Sequence, residues 1–359
     1  MNTTERELFK NLVSFKSTDK TRLKELLRDN ATPGVLGQLF FNRMQGVAYT
    51  TLKSEELLGE TTREFRNSLE AAHTQNAIKC SSFINCVERV SDILKDHKDK
   101  YVMLKGAVLC GLYPVGCRTS NDIDLLVRPK DVTVIGDALR AAGFRQGSVK
   151  NGAFIPATRK EIITSKMMRG ETVPYILEVN LPFMQYLEVD INFSLDYKNG
   201  GEKAVDKLIS RADEVDVQGV SIMTLCDYDF FMHLCMHLYK EATTLPWIEM
   251  KRDMTLYKFC DIYMLVDMFT KSEIDALFFE ARCLGVTEIC AYAIITAGSL
   301  FNISNKYAVE CAYEALEGNE DILHRVISPT GKKTFMYTNE NILDRFFSDD
   351  RAEMLCEVM

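Results

Sequence analysis

The hydrophobic period of this chain changes twice, and those two changes constrain its fold more than any other feature. From about residue 4 to 99 apolar side chains recur at helical spacing, as in Leu8, Leu12 and Phe15 and again in Leu23, Leu26 and Leu27. Thr32-Pro33-Gly34 interrupts the run, and Val35 to Tyr49 reads as one further apolar helix. Residues 54–98 then set Phe65, Leu69, Phe83, Val87, Val90 and Leu94 along one side of a long helix.

From Tyr101 the apolar runs shorten. Tyr101–Leu104 ends at Lys105-Gly106 and reads as a buried strand; Asp122–Val127 (DIDLLV) is a second, stopped by Arg128-Pro129. Ala107–Leu112 and Val132–Ala142 read as helices, the latter closed by Gly143. Phe144 opens another extended segment, and Tyr175–Asn180 and Tyr186–Leu195 read as strands joined by a turn near Pro182. Helical spacing returns over Leu225–Lys240, Met254–Phe269, Lys271–Leu284 and Thr287–Leu300. The expected architecture is α+β: an N-terminal helical segment over 1–99, a mixed core over 100–222 and a C-terminal helical domain over 223–359. At 359 residues the chain has length for about two cores.

The chemistry concentrates at Asp122-Ile123-Asp124. Strand side chains alternate faces, so the two carboxylates project together while Ile123 and Leu125 enter a core. Like charges held that close repel unless a cation lies between them, and Mg²⁺ takes one or two carboxylates plus phosphate oxygens. The same spacing also serves a strand that turns two acids to solvent. The context favours the cation: Gly106 allows close approach to the backbone, and amides at a helix start attract anions. Lys105, Arg118 and Ser120 add charge and hydrogen bonds within the same connection.

The string LKGAVLCGLYPVGCRTSNDIDLLV, residues 104–127, resembles the signature of uncharacterised bacterial nucleotidyltransferases of the polymerase-β superfamily. That family's pattern is an LKG turn, a Tyr-Pro, an Arg and a DIDLLV strand. The resemblance is weaker over Glu178–Asp196 and looser still over Phe231–Leu238 and Leu256–Ile262. It implies a polymerase-β-like core and a third carboxylate on a neighbouring strand, which falls on Asp190 within Leu187–Asn192; Asn192 stands where a histidine is often found. It further implies nucleotidyl transfer with two Mg²⁺ ions, or Mn²⁺, on the catalytic and metal-binding acids Asp122, Asp124 and Asp190. Lys105, Gly106, Arg118 and Ser120 would then bind the nucleotide. The active site is expected in the cleft between core and helical parts. The wider superfamily has Gly-Ser at the phosphate turn where this chain has Gly106-Ala107, so phosphate binding must rest more on amides, Lys105 and Arg118.

The expected reaction moves a nucleoside monophosphate, AMP foremost, from a triphosphate to a hydroxyl or phosphate of an unidentified acceptor. A net charge of −8 argues against bulk nucleic-acid binding and favours a small acceptor over RNA. Transfer to a macromolecule such as tRNA or a protein, as toxin-like members of the superfamily perform, is the alternative; so is a non-catalytic nucleotide-binding module, against which stand the three retained acids. Eleven cysteines without a CxxC pair, a polar opening MNTTERELFKNL and no apolar run of spanning length lead to the expectation of a reduced, cytoplasmic protein with no membrane partner.

Other candidates are weaker. His233 and His237 sit i, i+4, but the position after the first histidine is Leu234, not the glutamate of HExxH, so helix packing is the simpler reading. Gly106, Gly111 and Gly116 make no GxGxxG, and no GK[ST] follows a glycine-rich loop. Trp247 reads as a packing anchor. Residues 145–173 hold Arg145, Lys150, Arg159, Lys160, Lys166 and Arg169 against Glu161 and Glu171. That excess suits either a solvated hairpin or a basic flap over the triphosphate or an anionic acceptor.

Overall fold

A computed structural model describes residues 1–15, 19–168, 170–195, 201–329 and 331–358. Arg169 and Asp196 lie outside the described residues. Two compact units divide the chain: Met1–His73 with Phe231–Met359, and Thr74–Phe230.

The first unit begins with α1 (Thr3–Leu12), α2 (Lys20–Asn30), α3 (Pro33–Phe41) and α4 (Gln45–Ser54). Thr32 does not merely interrupt: its hydroxyl accepts from the Val35 amide and Pro33 occupies the first helical turn, so the triplet starts a helix. The expected single helix Val35–Tyr49 is in fact α3 and α4, because Arg43 turns the chain at φ +57 between them. The long helix α5 (Arg63–Ile93) follows, and the unit boundary falls inside it after His73.

The second unit is built on an eight-stranded sheet. In chain order its elements are β1 (Tyr101–Met103), α6 (Gly106–Leu112), β2 (Asp122–Val127), α7 (Val132–Ala141), β3 (Arg145–Lys150), β4 (Ala153–Pro156), α8 (Arg159–Met168), β5 (Tyr175–Leu181), β6 (Met184–Asn192), α9 (Glu202–Ser210), β7 (Asp213–Val217) and β8 (Val220–Thr224). The strand order is β4-β3-β5-β6-β2-β1-β8-β7, with β2–β6 and β1–β8 parallel and the other pairs antiparallel. Two-residue turns close two hairpins: Asn151-Gly152 with both φ positive, and Gln218-Gly219 likewise, matching strand twist.

One sheet face is dry. Ile123, Leu125 and Val127 of β2, and Leu187, Val189 and Ile191 of β6, pack with Phe83, Val87 and Val90 of α5 and with Ile135 and Leu139 of α7. Burying each such side chain is worth about 1.5–3 kcal/mol against exposure, so the register that presents them together is strongly specified. The acids on alternate positions are thereby forced to the opposite face.

The remaining helices are α10 (Asp227–Ala242), α11 (Leu245–Glu249), α12 (Leu256–Val266), α13 (Lys271–Leu284), α14 (Thr287–Leu300), α15 (Lys306–Ala315) and α16 (Ile342–Phe346). Helix α13 has both sequence signals: a Thr270–Glu273 capping box and Gly285 at φ +69. The end of the chain is not purely helical, since β9 (Arg325–Ile327), β10 (Thr334–Tyr337) and β11 (Leu355–Val358) form a three-stranded sheet. Among the described residues no helix is long and apolar enough to cross a membrane.

Candidate active site

The two acid-bearing strands lie side by side. In the parallel β2–β6 pair Asp122 is the register partner of Glu188, and Asp124 of Asp190. Neighbouring strands stand about 4.8 Å apart and paired residues share a face. Asp122, Asp124, Glu188 and Asp190 therefore form a two-by-two array on the face opposite the core. Asp124 is buried, and the other three are half-buried.

Each acid of β2 has a partner. Lys105 Nζ lies 3.0 Å from Asp124 Oδ1, and Ser120 Oγ donates to Asp122 Oδ1 at 3.0 Å. Lys105 reaches its acid from a backbone at φ +47, ψ −114, a region that a residue with a side chain seldom occupies. The strained residue at the Lys-Gly turn is thus the lysine, while Gly106 lies inside α6. A Cβ on Gly106 would come within 2.4 Å of Ser120 Oγ, so what the glycine admits here is the Ser120 side chain. Arg118 sits in the same loop, its Nη1 donating to the Thr119 carbonyl at 2.6 Å.

Two residues that the sequence did not mark hold this loop from α5. Asn76 Nδ2 donates to the Gly116 carbonyl at 3.2 Å, and Lys79 Nζ donates to Asn121 Oδ1, next in sequence to Asp122. Polar residues in a long amphipathic helix carry no local signal of such a role; only the packing of α5 on the loop identifies them.

The array is electrostatically loaded. Burial, then Asp124, Glu188 and Asp122, push the Asp190 carboxyl up to about 8, against a smaller opposing pull from Lys105. Burial and the charges of Asp122 and Asp124 also raise Glu188. Hard oxygen donors concentrated beyond what Lys105 neutralises are the donor set a divalent ion such as Mg²⁺ takes. Among the described residues no group of three or more His, Cys, Asp or Glu side chains is placed to hold a metal ion; Asp124 is turned onto Lys105 and Asp122 onto Ser120.

The other sequence candidates lie elsewhere. His233 and His237 are on α10, where His237 Nε2 is 3.5 Å from Glu241 Oε1 and Lys258 is paired with the same glutamate. Trp247, in α11, has Lys258 Nζ 5.5 Å from its ring centroid. Arg145 and Lys150 are on β3, and Arg159, Lys160 and Lys166 are on α8, all five exposed.

A model of the family described as "Uncharacterised nucleotidyltransferase" matches residues 33–302. The chain belongs to that family, and the match spans every residue of the acid array and its partners. No curated protein matches the chain.

Proposed function

We propose that the chain transfers a nucleoside monophosphate, AMP foremost, from a nucleoside triphosphate to a hydroxyl or phosphate of an acceptor, on a polymerase-β-like sheet. The observation that carries this reading is the register of β2 against β6, which sets Asp124 beside Asp190 and Asp122 beside Glu188 with Lys105 on Asp124. Structural ion pairs need no such surplus of carboxylates.

Asp122, Asp124 and Asp190 would hold Mg²⁺, or Mn²⁺ in its place, and the ions when bound supply charge neutralisation for the phosphates. Lys105 adds positive charge beside Asp124, and Ser120 fixes the orientation of Asp122. Asp190 would bind the ion that activates the acceptor hydroxyl, or act as that hydroxyl's base. Retention of all these groups disfavours a binding module without turnover.

The test is incubation of the purified chain with each triphosphate and Mg²⁺, with candidate acceptors added, followed by mass spectrometry and pyrophosphate detection. Mass additions of one nucleoside monophosphate that vanish in Asp124→Ala support the reading. Triphosphate consumption without any adduct, or unchanged in Asp124→Ala, overturns it.

A further inference from the structure

Cys80 lies on α5 and Cys110 on α6, 3% and 2% exposed. Their thiols hydrogen-bond each other. Gln218 ties the pair together from outside: its Nε2 donates to the Cys110 carbonyl at 2.7 Å and reaches Cys80 Sγ at 3.9 Å. That glutamine is exposed at φ +54 in the β7–β8 turn, on an edge of the sheet. One surface side chain thus touches both members of a buried thiol pair, and its rotation opens a path for a small oxidant.

The helices that carry the thiols also hold the loop of the candidate site. Asn76 and Lys79, within a turn of Cys80 on α5, donate to the Gly116 carbonyl and to Asn121 Oδ1. Cys110 stands one turn along α6 from Gly106, and that helix starts from the strained Lys105 that pairs with Asp124. Helix α6 fits closely on the hairpin, since a Cβ on Gly111 would come within 2.9 Å of Val217 Cγ1. The Cys110 hydrogen bond, with that of Gln218 behind it, outweighs burial and brings the Cys80 thiol down to about 7. Burial instead pushes Cys86 and Cys226 up to about 11. Cys80 is therefore rich in thiolate, the nucleophilic form, near neutral pH.

Resting on the function proposed above, we propose that Cys80 and Cys110 are a redox switch on triphosphate binding, closed by hydrogen peroxide and reopened by a dithiol. The Cys80 sulfur attacks one peroxide oxygen and the O–O bond breaks. This leaves a sulfenic acid and a hydroxide that takes up the proton the thiol released. The Cys110 sulfur then bonds to Cys80, the S–OH bond breaks, and a second water leaves with the Cys110 proton. Two thiols have lost two electrons, and the peroxide has become two waters. The new bond draws α6 onto α5, which shifts Lys79 against Asn121 and Lys105 against Asp124. A dithiol reverses the step by thiol–disulfide exchange.

The experiment measures Mg²⁺-ATP affinity by calorimetry on the full chain, first reduced, then treated with hydrogen peroxide, then treated with dithiothreitol. Affinity should fall about tenfold or more on oxidation, the worth of one misplaced charge-assisted contact, and should return on reduction. Tandem mass spectrometry of the non-reduced tryptic digest should join peptides 80–89 and 106–118 through Cys80 and Cys110, not through the Cys86 and Cys117 that they also contain. Cys80→Ala and Cys110→Ala should each bind as the reduced wild type does and ignore peroxide. Cys283→Ser/Cys356→Ser, which removes two exposed thiols, should respond as wild type. The wild-type peptide map needs no variant to fold. A map without the Cys80–Cys110 bond, or a bonded form that binds Mg²⁺-ATP as tightly as the reduced chain, overturns the switch. A reduced chain that does not bind Mg²⁺-ATP overturns the transferase reading instead, so the two failures are distinguishable.

Discussion

Asp124 and Asp190 are register partners across two parallel strands, so one carboxylate ionises in the field of the other. Because burial and Asp124 hold its proton on, Asp190 titrates near 8 rather than near its ordinary 3.8. The folded chain therefore binds more protons than the unfolded one between these values, and stability contributed at this site falls as pH rises through that window. Without divalent ions, the thermal midpoint of wild type relative to Asp190→Asn should drop by a few degrees from pH 5 to pH 8. Mg²⁺ should raise the wild-type midpoint more at pH 8 than at pH 5. Parallel pH profiles for wild type and Asp190→Asn would contradict the assignment.

Asp122→Ala and Asp124→Ala should reduce pyrophosphate release by on the order of 10²–10³ or more. Each removes a charge from a crowded array, so thermal unfolding should be unchanged or slightly raised. Both variants retaining near-normal turnover would rule out the acids as catalytic ligands.

Asp190→Asn should bind Mg²⁺-triphosphate within a few-fold of wild type and fail to transfer it, while Glu188→Gln should be much milder. Single-turnover kinetics beside calorimetric binding separate the two steps. A more severe loss in Glu188→Gln would exchange the roles of the two β6 acids.

Lys105→Ala and Arg118→Ala should each weaken Mg²⁺-triphosphate binding about tenfold to a hundredfold, the range of one charge-assisted contact. Ala107 offers no hydroxyl to compensate. Calorimetry with a non-hydrolysable triphosphate reads this directly, and equal affinity with and without Mg²⁺ would be incompatible with the site.

Gly106→Ala should destabilise by about 1–3 kcal/mol, because its methyl overlaps both the Cβ and the Oγ of Ser120. Pairing it with Ser120→Gly should restore most of the midpoint but not the activity, since Asp122 then loses its hydrogen bond. If the double variant unfolds no later than Gly106→Ala alone, the clash is not the cause.

Period and motif make the acid strands legible in the sequence alone. DIDLLV and LEVDIN alternate cleanly, so the carboxylate face followed from the apolar one. Which strand lies beside which is a tertiary fact, and so the partnership of Glu188 with Asp122 had no local mark. Asn151-Gly152 is a strong local hairpin signal, and β3 and β4 pair across it, although the charges around it are what stand out in that segment. The break at Arg43 rests on a positive φ in a residue that does not advertise one. Strands β9 to β11 are three or four residues long, too short for alternation to show against helical neighbours.

The chain order of the two units bears on how the molecule is made. Thr74–Phe230 is contiguous, so it can fold as soon as it clears the ribosome. Met1–His73 cannot complete its unit until Phe231 and the residues after it have been synthesised. At about 5–20 residues per second that interval is roughly fifteen to sixty seconds, during which Phe9 lacks the rings of Phe346 and Phe347 that it packs against. The earliest-made helices are thus the last to complete their packing, and a nascent chain stalled before residue 231 presents a natural substrate for holdase chaperones and proteases.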